Sequence, residues 1–151
     1  MWSAPVFDVT RFALRLAERG IEYKFVGASA MGYGYPGGAL HQCQPKAVVW
    51  HITASSPTPG PNPLAGLDSW FNNPIARACA HLGISGKHVH QYVAWDTAPY
   101  QAGYMAASDL TNPLIADWWA RLQNPNFWTF GIEVVAEPGP TRVPPGTHLV
   151  S

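Results

Sequence analysis

Charge is scarce in this sequence. Only 12% of its 151 residues are Asp, Glu, Lys or Arg, and nine basic residues balance nine acidic ones, leaving a net charge of zero with His neutral. Such a chain has no long-range basic field to attract nucleic acid or to hold it on an acidic membrane surface, so neither is expected as a partner. Cysteine is scarcer still, with Cys43 and Cys79 alone. Two cysteines do not build a disulfide framework, and their spacing is not that of a zinc ribbon. Two free thiols are the plainer reading, with a single bridge as the alternative. Long apolar runs are also missing: no window is long enough to cross a bilayer, so no membrane insertion is expected. The start, Met1-Trp2-Ser3-Ala4-Pro5, lacks the basic and apolar regions of a secretory signal.

What the sequence does have is apolar and aromatic. Apolar residues make up 47% of the chain, with 7 Trp, 6 Tyr and 6 Phe, beside 15 Pro and 14 Gly. That composition belongs to a globular chain, and the length fits one domain with a core of its own. Aromatics with so little charge suit a groove that stacks against sugar or peptide, and they equally suit a core.

Asp8 precedes a run with helical spacing, and Gly20 is a natural stop. Ile21 to Val26 alternates apolar with charged and reads as a short strand. Met31 to Gly38 is rich in Gly and Tyr and reads as a loop. Residues 1–45 are thus expected to pack a helix, a strand and a loop onto a core domain spanning 46–151. Within it, Val48 to Ile52 reads as a buried strand, followed by a loop with prolines at 57, 59, 61 and 63. Asp68 to Leu82 reads as a second helix with Asp68 as cap, and Gly83 to Lys87 as a turn. His88 to Trp95 reads as a strand, hairpin-like with a short strand from Tyr100. Asn112-Pro113 starts a helical turn through Trp118, and Phe127 to Val135 is a strand of aromatic and β-branched residues. Strands and helices alternate, so the expected class is α/β (α+β), a mixed central sheet flanked by helices.

Three segments carry more than structure. The first is Val48-Val49-Trp50-His51-Ile52-Thr53-Ala54-Ser55, an apolar strand that presents an imidazole at its exit. The second is Val89-His90-Gln91-Tyr92-Val93-Ala94-Trp95-Asp96-Thr97-Ala98-Pro99-Tyr100-Gln101. The third is Asn126-Phe127-Trp128-Thr129-Phe130-Gly131-Ile132-Glu133. In this order they resemble the zinc-dependent N-acetylmuramoyl-L-alanine amidases of the type-2 family. That family includes phage endolysins and bacterial cell-wall recycling enzymes, and it is related to peptidoglycan recognition proteins. The resemblance spans about Lys46 to Val135. His88 stands where the family commonly has Ser, Thr97 replaces its turn Gly, and Thr129 replaces its Ser.

The resemblance implies a peptidoglycan hydrolase that uses Zn2+ and acts on peptidoglycan or a soluble muropeptide as a monomer. It implies a chain kept in the cytoplasm or released to the wall as a phage-type lysin. It makes His51 a metal ligand, where an isolated His on an apolar strand would be a satisfied structural residue. It makes Glu133 the general base, and a carboxylate after Phe130-Gly131-Ile132 is expensive to bury without a use. His90 is expected to line the substrate cleft or to serve as a hydrogen-bonded structural residue. His41, His81 and His88 read as ordinary loop, helix and strand residues. The family's other zinc ligands, a His and then an Asp or Cys, lie beyond a helix that follows the Glu133 strand. Only 18 residues follow Glu133, with no Cys or Asp, and His148 comes too early in the pattern to serve. The expectation is therefore an amidase-like fold lacking its C-terminal part. A non-catalytic peptidoglycan-binding module of the same fold is the competing expectation.

Overall fold

The fold is described from a computed structural model over residues 8–27, 42–53, 55–101 and 124–136, with the single positions 111, 113, 116, 117 and 120. The expected Gly/Tyr loop, His148 and most of the expected helical turn through Trp118 lie outside the described residues.

Helix α1 (Val9–Ala17) begins where the sequence places it. The Asp8 carboxylate accepts from the Arg11 N–H at 3.0 Å, satisfying a first-turn donor. Gly20 follows the helix at φ +66, a conformation that costs glycine little. Strand β1 (Glu22–Phe25) follows directly, then β2 (Ala47–Ile52), helix α2 (Ala65–Phe71), β3 (Leu82–Ser85), β4 (His88–Gln91) and β5 (Thr129–Val134). The five strands form one mixed sheet in the order β1-β4-β3-β5-β2. Only the β3–β4 pair is antiparallel; β1–β4, β3–β5 and β5–β2 are parallel. The α/β class with a mixed central sheet is the one expected, with β1 built into that sheet and α1 packed on it. No helix among the described residues is long and apolar enough to cross a membrane.

Strand alternation splits the side chains between two faces. Phe12 and Leu16 of α1 pack over Leu82, Val89, Phe130 and Ile132 on one face. On that side Trp95 stacks on Phe130 with centroids 4.8 Å apart, and Phe12 meets Trp95 edge-on at 5.3 Å. Helix α2 lies on the opposite face, where Leu64, Leu67, Phe71, Tyr92, Val93 and Val135 share a second core.

Two elements differ from the sequence reading. The expected helix from Asp68 to Leu82 is α2 alone, shifted to Ala65–Phe71, and Leu82–Ser85 is strand β3. Asn72 caps the helix, and Pro74 and the positive φ of Arg77 (44°) follow, so the chain has left helical geometry before Ala78. The turn is only Gly86-Lys87, with the positive φ at its first residue (56° at Gly86) that tight hairpins favour. The strand expected to reach Trp95 ends at Gln91, and the short strand expected from Tyr100 lies, beyond Gln101, outside the described residues.

The other correction concerns β2, read as buried. Among the described residues it is an edge strand, hydrogen-bonded only to β5, and its residues alternate between half-buried and exposed. Val48, Trp50 and Ile52 share the α1 side of the sheet but lie beyond the reach of α1, at 52%, 51% and 45% exposure. Hydrophobicity identifies a strand, but it does not say whether a helix covers it.

Candidate functional site

On the α2 side of the sheet, the strand registers align Lys24, His90, Gly83, Glu133 and His51 in one row across all five strands. With strands about 4.8 Å apart, His51 and Glu133 are immediate neighbours, and His90 stands two strands beyond Glu133. The sheet thus brings two of the three sequence-predicted residues together and separates the third.

Gly83 makes the separation complete. It leaves a vacancy in the row, which Leu67 and Tyr92 fill so closely that a Cβ there would stand 2.7 Å from Leu67 Cδ2 and 2.9 Å from the Tyr92 hydroxyl. Behind that plug His90 is buried, its Nδ1 2.8 Å from Asp68 Oδ1. The Tyr92 hydroxyl donates to the same oxygen at 2.8 Å, and Asn62 Nδ2 donates to Asp68 Oδ2 at 3.0 Å. Burial alone would raise the Asp68 carboxyl, but these hydrogen bonds outweigh it and hold the group below its usual value. Of the two roles open to His90, the structure places it in a buried network that ties α2 to β4, away from the cleft.

The cleft, of about 440 Å³, opens beside Glu133. The loop after β2 forms one wall, offering the hydroxyls of Thr53, Ser55, Ser56 and Thr58. Thr58 steadies that wall: its N–H donates to Pro63 O at 3.0 Å, and its Oγ1 accepts from the Gly66 N–H at 3.0 Å, where α2 has no cap of its own. Helix α2 supplies the facing wall through Trp70 and Phe71, with Trp70 half exposed at the rim. Among the described residues Glu133 is the only carboxylate on the lining. Burial pushes its carboxyl up to about 7. A group that exchanges its proton near neutral pH inside a cleft is suited to general acid–base work.

His51 sits beside this cleft rather than on its wall, half-buried, with Nε2 enclosed and in hydrogen-bond geometry with no group. Burial pushes the imidazole down, and the Gln101 side chain beside it partly offsets that, so the ring is neutral at neutral pH. Gln101 is the site residue that sequence reasoning passed over, noting it only as the end of a motif. Its Nε2 donates to Thr129 O at 2.8 Å, and its N–H donates to Asn126 Oδ1 at 3.0 Å. Its carboxamide lies where a side chain on Gly131 would begin, so that glycine is needed for the approach. Nothing in the spacing of Gln101 reveals this, since the contact joins residues 30 positions apart.

The two cysteines are buried free thiols. Burial raises both, Cys43 to about 12, so neither is a ready nucleophile at neutral pH. His81, read as an ordinary helix residue, is fully buried and stacks on Phe130 at 4.1 Å. Its Nδ1 accepts from the Gly131 N–H at 3.0 Å, which requires the neutral ring. Burial pushes its pKa down to about 4, against about 6.5 in an unfolded chain. The unfolded state therefore binds the extra proton first: stability is full above about pH 6.5 and falls as pH drops towards 4, by about 3 kcal/mol from this residue. Urea unfolding at pH 7.5 and 4.5 measures that loss, and His81→Gln, which keeps an acceptor but cannot titrate, is expected to shrink it.

Comparison with protein-family models, with curated proteins and with solved structures finds no match to this chain.

Proposed function

We propose that the cleft hydrolyses the amide bond between N-acetylmuramic acid and L-alanine in peptidoglycan or a muropeptide. The observation that carries this reading is the row that sets His51 next to Glu133, with Glu133 facing the cleft and holding its proton near neutrality. In the reaction, ionised Glu133 takes a proton from a water molecule as its oxygen bonds to the amide carbon. The tetrahedral intermediate then breaks its carbon–nitrogen bond, and Glu133 returns the proton to the departing alanine nitrogen. The hydroxyl wall and Trp70 hold the substrate, the first by hydrogen bonds and the second by its aromatic face.

The family resemblance brings Zn2+ with it, with His51 as one ligand. A catalytic zinc takes three protein ligands and one open position. Among the described residues no group of three His, Cys, Asp or Glu could hold a metal ion. These residues alone do not fit the ion, so no step above passes through it. The same observation favours a second reading, a peptidoglycan-binding module of this fold without turnover.

One experiment separates the readings. The full chain is incubated with a purified muropeptide, with and without a chelator, and the appearance of free L-alanine amino termini is measured beside muropeptide binding. Amidase activity predicts new amino termini that vanish in His51→Ala, and their loss with chelator as well would assign a metal whose further ligands lie outside the described residues. Unchanged turnover in His51→Ala overturns the role of His51. Binding that survives chelation without any cleavage establishes the module instead.

A further inference from the structure

The His51 and Gln101 side chains leave two polar atoms without partners in one place. His51 Nε2 and Gln101 Oε1 are both buried, and neither is in hydrogen-bond geometry with any group. An orphaned buried donor or acceptor is expensive, and proteins rarely leave two side by side without using them. The orientation of the carboxamide is not open: its Nε2 is spent on Thr129 O and on Thr129 Oγ1. Turning it over would set Oε1 against the Thr129 carbonyl oxygen, acceptor against acceptor. The oxygen must therefore face away from Thr129, over Gly131, the residue two before the strand partner of His51.

We propose that Gln101 is a positioning residue for His51: its Oε1 accepts a hydrogen bond from His51 Nε2–H, fixing the neutral ring in the Nε2–H tautomer and leaving the Nδ1 lone pair as the one His51 can offer the site. Residues that present an imidazole lone pair to a ligand commonly hold the opposite ring nitrogen in this way, which sets both tautomer and ring angle. The anchoring is layered. Thr129 holds the carboxamide, Asn126 holds the Gln101 backbone, and Gly131 leaves the space. The use of the freed lone pair rests on the amidase reading; the tautomer does not.

Nitrogen NMR of the full chain tests the tautomer directly. Long-range proton–nitrogen correlations, recorded where the ring is neutral and assigned by comparison with His51→Gln, distinguish the two tautomers. The expected result is a single Nε2–H pattern for His51, with its ring N–H proton close in space to the Gln101 methylenes. In Gln101→Met, which keeps length but has no acceptor, His51 is expected to become a mixture of tautomers. An Nδ1–H pattern in the wild-type chain, no contact between the ring N–H and Gln101, or an unchanged single pattern in Gln101→Met overturns the proposal. The first two readouts need no Gln101 variant to fold. A tautomer as expected in a chain that cleaves nothing sinks the amidase reading and leaves the positioning role intact.

Discussion

Glu133→Gln is expected to abolish turnover of the muropeptide and, in the same protein, to raise stability. The first effect follows from chemistry: a glutamine cannot take or return the proton, and removing a positioned acid–base group typically lowers rates about 10²–10⁴-fold. The second follows from linkage. The folded carboxyl holds its proton up to about pH 7, whereas an unfolded one loses it near 4.5. A raised carboxylate pKa means that ionising the folded protein is unfavourable, so stability is full below about 4.5 and declines as pH rises through 7. Glutamine removes that decline. The gain at pH 8 is on the order of 1 kcal/mol, since the half-exposed cleft screens the charge, and it vanishes at pH 4. Urea unfolding at both pH values, beside turnover, measures both halves. A wild-type rate that climbs with pH through about 7 is the kinetic form of the same titration. A variant that loses activity and stability together would point to a structural carboxylate instead.

Asp68→Ala is expected to have the largest effect on the fold. One carboxylate serves three buried or half-buried partners: His90 Nδ1, the Tyr92 hydroxyl and Asn62 Nδ2. Alanine leaves all three polar groups without that partner. At about 1–3 kcal/mol for each buried group left unsatisfied, the loss is expected to reach about 3 kcal/mol or more. Tyr92 also plugs the space over Gly83, so the damage extends to the wall that separates His90 from Glu133. Denaturant midpoints for Asp68→Ala, His90→Ala and the double variant measure it. If the network is a unit, the double variant loses much less than the two single losses combined. Additive losses would mean that the three bonds act separately.

How far the sequence discloses this molecule depends on which forces decide each part. Helix α1 was legible from end to end because its signals are local: a carboxylate cap, two core residues four apart, and a glycine exit. Strand β5 was legible because its aromatic and branched residues are buried as their type predicts. Asp68 was misread for the opposite reason. It precedes an apolar run, as a cap does, yet its use is to hold partners up to 24 positions away. The exposure of β2 was illegible because it depends on where α1 stops across the sheet. In the site, His51 and Glu133 were found from motifs, and their adjacency comes from a parallel register between strands far apart in the chain. Gln101 was missed because its importance lies in a vacancy at Gly131, which a sequence records only as a glycine.

The parallel pairing of β2 with β5 also sets an order of events during synthesis. His51 leaves the ribosome about eighty residues before Glu133, and β2 meets its partner strand β5 only when that strand arrives. Loop closure over such a distance is slow beside the local β3–β4 hairpin, which is free to form first. Between the emergence of β2 and that of β5 the nascent chain thus carries an apolar strand without this partner, and it acquires the His51–Glu133 pair only when β5 docks. Until that docking a partial chain holds the imidazole of His51 without its carboxylate neighbour.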